Sequence, residues 1–499
     1  MKNDTWIFLN NYSRKKTAGP NFHYYFYTGV GSRVEQKNNE LSRRSFIGKA
    51  SKIGGASAVL GMSGAMGLFM EDAEAKQIDK QKHQKSPKKD DTYMLLNVRL
   101  ESGYEYENGD VVATRSIVRN LEIKKGIISK ILDTKEPYRR DIDCYDVQGM
   151  LLLPGFKDMH IHLDKTFYGG PWRGAVHRKN IFDIIEIEKK LLLELLPTAQ
   201  ERAEKLIELI MSFGSTYVRS HCNIDPTVGL RNLEKLKKAL ANYSDKISHE
   251  IVAFPQHGLL LSNSESLLRE ATQLGATHVG GLDPTLVDGN MEKSLQTMVQ
   301  IAVDNNAGID IHLHEGGETG LKAVNRLADL TEEAGLQGKV TISHAFSLAS
   351  LNPDQANEMA NRLASLGISI ASTIPIGKNA MPIPILQKQK VNVMLGNDSI
   401  MDHWSSLGIG DTLEKVHLAA DLYGWSYEYE LSQALSLATG GITPLDKAGK
   451  QVWPKVGDEA SVVIVPASCS AEAVARLPKR AAVLHKGVLS SGELSHVKK

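Results

Sequence analysis

Between Leu151 and Asp398 the chain repeats one pattern: a short apolar run, then a longer stretch in which apolar residues recur every three or four positions. The first run, Leu151–Leu153, leads through Pro154-Gly155-Phe156 toward His160. Thr216–Val218 leads to His221, Ile251–Phe254 to Gln256, and His278–Leu282 to Asp283. Ile309–Ile311 ends at His312, Val340–Ser343 at His344, Ile368–Ala371 near Thr373, and Val391–Leu395 at Asn397-Asp398. Short apolar runs bounded by turn residues predict buried strands. Stretches such as Arg202 to Met211, Leu321 to Ala334 and Asn357 to Leu366 predict amphipathic helices. Eight strands alternating with helices over about 250 residues match the usual size of a (β/α)8 TIM barrel, placed at residues 151–440.

The flanks read differently. From Tyr93 to Met150 short strands follow one another: Val111–Thr114, Ser116–Val118, Leu121–Ile123 and Gly126–Ile128. The pattern returns in Ser461–Val465, Ala481–Leu484 and Gly487-Val488. Segments 93–150 and 441–499 are therefore expected to build one small accessory β-sheet domain from both ends of the mature chain.

Further upstream, Ser42-Arg43-Arg44-Ser45-Phe46-Ile47 precedes an apolar run rich in Gly, Ala and Ser from Ile53 to Met70, then Ala73-Glu74-Ala75. A basic segment, an apolar core and a small-x-small site form the order of a cleavable export signal, and the paired arginines resemble a twin-arginine signal. A core this rich in Gly and Ser is a poor membrane span, so no stable membrane anchor is expected. Residues 1–75 are read as extension and signal peptide, and 76–92 as a charged linker. The expected partner is the twin-arginine export machinery, and the expected location is periplasmic or extracellular, after cleavage near Ala75.

Composition narrows the function classes. Among 499 residues, 59 basic side chains balance 58 acidic ones, leaving a net charge of +1. That gives no electrostatic reason to expect nucleic acid as a partner. The three cysteines share no short spacing, so neither a disulfide framework nor a thiolate metal site is legible. The composition is compatible with a homo-oligomer.

The chemistry gathers at the strand ends. In an extended strand, residues i and i+2 face the same side, so His160 and His162 can reach one ion. His312 and Asp398 end two further strands, and barrel enzymes place catalysis at this rim. Three imidazoles and a carboxylate suit one divalent metal ion per chain, Zn or Fe.

These residues also carry a resemblance. The run Leu153-Pro154-Gly155-Phe156-Lys157-Asp158-Met159-His160-Ile161-His162-Leu163-Asp164-Lys165 resembles the first-strand motif of the amidohydrolase superfamily, in the form of its cytosine deaminase and N-isopropylammelide amidohydrolase branch. Val218–His221, Ala253–Gln256, Asp310–Glu315, Val340–His344, Gly396–Asp398 and Asp402–Trp404 agree in order, so the resemblance spans roughly residues 93 to 490. It implies that His160, His162, His312 and Asp398 bind the metal, and that Glu315 is the proton shuttle. His344 would stabilise the oxygen developing at the attacked carbon, and Asp398 could accept a proton from the attacking water. Gln256 would read the ring amide, and Trp404 would wall the pocket. The implied reaction is hydrolytic deamination of a nitrogen heterocycle by a metal-bound hydroxide, with a small heterocyclic amine or amide as substrate.

Two positions depart from the cytosine deaminase pattern. Ser399 follows the metal aspartate where a second acid is usual, and His314 precedes Glu315 where an acid is usual. Both put cytosine itself in doubt and leave a substituted or larger ring as the expectation. Lys165 reads equally as a substrate contact and as an ion-pair partner of a strand-end acid. His221 reads as pocket wall, and Asp283 and Asp288 have no assigned role. A cyclic-amide or N-acyl amidohydrolase using the same metal is the alternative. A non-catalytic binding protein would require a missing ligand or shuttle, yet Glu315, His344 and Asp398 are all present. A binuclear centre bridged by a carbamate would need a lysine at the end of strand four, and Thr277-His278 and their neighbours supply none.

Overall fold

In the computed structural model the described residues are 86–376 and 380–497. The Arg43-Arg44 signal and the proposed cleavage site lie outside them.

The accessory sheet begins with a long hairpin, β1 (Thr92–Glu107) and β2 (Asp110–Lys124), followed by β3 (Ile127–Asp133), β4 (Asp143–Asp146) and β5 (Leu151–Pro154). The hairpin turns at Asn108-Gly109, both with positive φ, as a two-residue turn requires. The expected short strands Val111–Thr114, Ser116–Val118 and Leu121–Ile123 are one continuous strand, because register shifts opposite β1 absorb its irregularities.

The barrel strands follow: β6 (Phe156–Ile161), β7 (Ser215–Asn223), β8 (Ser248–Phe254), β9 (His278–Leu282), β10 (Gly308–His312), β11 (Val340–Ser343), β12 (Ser369–Ser372) and β13 (Val393–Leu395). They form a parallel eight-stranded sheet in sequence order, and an Ile161–Asp398 bridge joins first strand to last. The fold is a (β/α)8 barrel. The predicted helices correspond to Ala199–Ser212, Gly317–Glu333 and Pro353–Ser365, with Ala334 and Leu366 just past the last two. No helix among the described residues is long and apolar enough to cross a membrane.

After the barrel come β14 (Val462–Val465), β15 (Ala482–His485), β16 (Val488–Gly492) and β17 (Ser495–His496). β14 pairs antiparallel with β5, and β17 with β4. Both flanks therefore build one sheet, as the repeated strand pattern predicts.

One expectation needs correcting. Leu151–Leu153 is not the start of the first barrel strand but part of the accessory sheet, and the barrel begins at Phe156. Gly155 stands between the two sheets, where a Cβ would overlap the Thr216 side chain. The alternation of side chains joins the two cores. Leu151, Leu153, Val463 and Val465 pack into the barrel cluster, while Leu152, Val462 and Ile464 pack into the accessory one. Each fully buried Leu or Val on this shared pair contributes about 1.5–3 kcal/mol, so the accessory sheet braces the strand that carries His160.

Candidate active site

The barrel closure and the site are built by the same residues. Asp158, buried on β6, accepts hydrogen bonds from the Asn397 backbone at 3.1 Å and the Asn397 side chain at 2.8 Å. The Asp398 amide donates to the His160 carbonyl at 2.7 Å, and the His162 amide to the Asp398 carbonyl at 3.2 Å. Gly396 sits so close to His160 that a Cβ would overlap its Cβ and carbonyl oxygen. Asp398 follows with φ 61°, and His344 ends β11 with φ 69°. Left-handed backbone at a non-glycine residue costs of order 1–3 kcal/mol and clusters at functional sites.

Through this frame His160, His162, His312 and Asp398 converge, with ligand-capable atoms all within 4.8 Å of one another. Asp398 Oδ1 lies 3.4 Å from His160 Nε2 and 3.3 Å from His162 Nε2. His312 Nε2 lies 3.3 Å from His162 Nε2. A tetrahedral ion with bonds of about 2.0–2.1 Å separates its ligand atoms by about 3.3–3.4 Å, so the spacing fits one divalent ion. Protonation fits as well. Burial, helped by the Lys165 ammonium, pushes His162 down to about 3. Burial and neighbouring imidazoles hold His312 well below its ordinary value. Burial opposes charge on Asp398, but His160 and His162 outweigh it and keep the carboxyl ionised. Neutral imidazoles beside a carboxylate are the forms that bind metal.

The other predicted residues surround this centre. His344 is buried with its ring centroid 4.8 Å from that of His160, and neither ring nitrogen has a hydrogen-bond partner among the described residues. Glu315 Oε1 accepts from the backbone amides of Thr285 at 2.7 Å and Leu286 at 2.6 Å, while its buried Oε2 has no partner among the described residues. Burial raises its pKa, against those amides. Asp283, left without a role by the sequence, accepts from the amides of His314 and Glu315 and from His314 Nδ1 at 3.0 Å, which fixes the turn carrying Glu315. Asp288 holds the loop after β8 through the amides of Leu260 and Leu261.

His221 is fully buried, with its ring centroid 4.1 Å from that of His160, and lines the centre as expected. Together with His160 and Asp310 it forms a second cluster of possible ligands, but Asp310 is already taken by Arg219 at 2.9 Å.

Lys165 is fully buried and donates to Gln256 Oε1 at 2.6 Å. It pairs with Glu188 at 3.4 Å and sits 5.3 Å from the Trp404 ring centroid. Its carboxylate partner thus lies on the helix Ile181–Leu195, not at a strand end. Ser399 is buried.

Glu188 was not foreseen. It also accepts from Asn223 Nδ2 at 2.9 Å and faces His403 at 3.3 Å and His257 at 3.6 Å. Burial favours its neutral form, but Lys165, His403 and His257 keep it well below the usual carboxylate range. Burial works against charge on His257 too, and Asp225 and Glu188 overcome it, raising its pKa to about 9. A signal for Glu188 exists in the sequence: Ile184, Ile185, Glu188, Leu191, Leu192 and Leu195 form one buried stripe, and one of its members is charged.

Known proteins resemble this chain over most of its length. Residues 185–496 match the model of the amidohydrolase family, a stretch that begins after His160 and His162. Uncharacterized protein YahJ of Escherichia coli (strain K12) is 53% identical over 81% of this chain and 89% of its own length. N-isopropylammelide isopropyl amidohydrolase of Pseudomonas sp. (strain ADP) is 27% identical over 69% of this chain and 87% of its own. The crystal structure of N-isopropylammelide isopropylaminohydrolase from Burkholderia multivorans superposes with a TM-score of 0.70 at 29% identity, covering 80% of this chain and 98% of that one.

The close approach at Gly396 makes a sharp prediction. Gly396→Ala should cost about 1–3 kcal/mol by overpacking and weaken metal retention, because His160 must shift. Chemical denaturation and metal analysis after gel filtration check this; unchanged stability and metal content would contradict the packing.

Proposed function

The chain belongs to the amidohydrolase family, and on that premise we propose that it hydrolyses an amino-substituted nitrogen heterocycle, releasing ammonia or an amine. The observation that carries this reading is a carboxylate, Glu315, anchored by one oxygen and free at the other, on the strand-end segment that supplies His312. The four donors would hold a divalent ion, which when bound supplies Lewis acidity and makes a bound water more acidic.

The side chains do the rest. Water adds to the electron-poor ring carbon while Glu315 takes one of its protons. As the C–N bond breaks, Glu315 returns that proton to the departing nitrogen, while the second water proton passes by way of Asp398 to the ring nitrogen, leaving a ring carbonyl and a free amine. A buried carboxyl with a raised pKa suits both halves of that transfer. His344 faces the centre and stabilises the oxygen that gains charge. Because Lys165 occupies Gln256 Oε1, the free end of that amide is its N–H group. Gln256 therefore reads an acceptor on the ring edge, a carbonyl or an unprotonated nitrogen, instead of the two-way contact expected from its chemistry alone. Trp404 walls the same side. Export on the Arg43-Arg44 signal belongs to the same proposal and rests on sequence alone.

Ammonia or amine release over a panel of heterocyclic amines tests the reading, with Glu315→Gln as control. That variant should keep the fold and metal yet lose on the order of 10²–10⁴-fold in kcat. Near wild-type turnover would remove Glu315 from the role, and activity confined to cyclic amides or N-acyl compounds would favour amide hydrolysis.

Ser399 gives a second prediction. A neutral, short side chain in place of an acid leaves room beside the ring, and the relative named for N-isopropylammelide has a substituted amine in its name. Substituted or bicyclic amines should show higher kcat/KM than cytosine, and Ser399→Asp should shift preference back toward cytosine. A strong preference for cytosine in the unmodified protein would overturn this.

A further inference from the structure

Of the three candidate imidazole ligands, only His160 has its second ring nitrogen engaged. His160 Nδ1 lies 2.7 Å from Ser343 Oγ, whereas the Nδ1 atoms of His162 and His312 are buried with no partner among the described residues. The Ser343 contact belongs to a chain whose direction can be worked out from one end. Arg219 is a donor only, and gives NH1 to Asp310 Oδ2 at 2.9 Å and to Thr341 Oγ1 at 3.0 Å. Glu250, on β8, holds the other side of the guanidinium at 2.6 Å. Asp310 accepts the Arg219 guanidinium at Oδ2, and its Oδ1 takes the Ser343 hydroxyl proton at 2.6 Å. Ser343 has one proton and has spent it. Its oxygen must then accept from His160, which fixes the proton on Nδ1 and leaves the Nε2 lone pair pointing at Asp398.

We propose that Arg219, Asp310 and Ser343 are positioning residues that set the tautomer and orientation of His160, making it the anchored ligand of the centre. The proposal rests on the metal-site reading above. The relay crosses the barrel interior: Arg219 lies on β7, Asp310 on β10, Ser343 on β11 and His160 on β6. All four side chains are buried, so water does not compete for these bonds, and misplacing one proton would block Nε2 as a ligand. Hydrogen-bond partners of ligating histidines typically change metal affinity by about 10–100-fold.

The experiment measures zinc affinity by competition with a chromogenic chelator, using metal-stripped full-length protein. Ser343→Ala should raise the zinc dissociation constant by about 10–100-fold, with little change in the melting temperature of the stripped protein. Ser343→Thr, which keeps the hydroxyl, should stay close to wild type. If the alanine variant does not fold, Ser343→Cys, of similar size but with a weak acceptor, should still lose affinity. Wild-type affinity in Ser343→Ala or Ser343→Cys, or an equal loss in Ser343→Thr, would overturn the relay while leaving the metal site standing. Failure of the unmodified protein to bind zinc, iron or another divalent ion would overturn the metal-site reading, and the relay with it.

Discussion

Lone pairs that face one another in a dry space repel unless a cation lies between them, and that constraint organises the upper end of this barrel. His160, His162, His312 and the Asp398 carboxylate point at a common centre, and burial disfavours charge on His162 and His312. Holding them there is costly. Asp398 and His344 adopt left-handed backbone, Gly396 is pressed against His160, and His160 Nε2 is buried without a hydrogen-bond partner among the described residues. Binding energy from an ion would offset such costs, and the rest of the fold prevents the donors from relaxing apart. Asp158 ties β6 to Asn397, and the accessory sheet braces the start of the same strand through the β5–β14 pair.

Much of this was legible because barrel strands end in recognisable ways. An apolar run needs no polar residue at its end for packing, so a histidine or aspartate recurring there points to the rim. That logic reached His160, His162, His312, His344 and Asp398, and the paired β segments at both ends foretold the composite sheet. The boundary at Leu151 is not legible, because an apolar triplet looks the same in either sheet. The pairing of Leu153 with Val463 and of Phe156 with Ser215 shows where the chain changes layers.

What stayed hidden were contacts between elements far apart in sequence. Glu188 meets Lys165, Asn223, His257 and His403 from a helix, and no local pattern names those partners. A buried ion pair of this kind is weak evidence for stability, since desolvation consumes much of the attraction. Its consequence here is directional: it holds Lys165 against Gln256, which turns an ambiguous amide into a donor. Asp283 likewise had no role on paper and proved to shape the turn that presents Glu315.

The central claim is that one divalent ion sits among His160, His162, His312 and Asp398. Elemental analysis of the purified, active protein tests it most directly. The account predicts about one ion per chain, removed together with activity by a chelator and absent from His312→Ala. Two tightly held ions per chain, or full activity in a preparation free of metal, would contradict it.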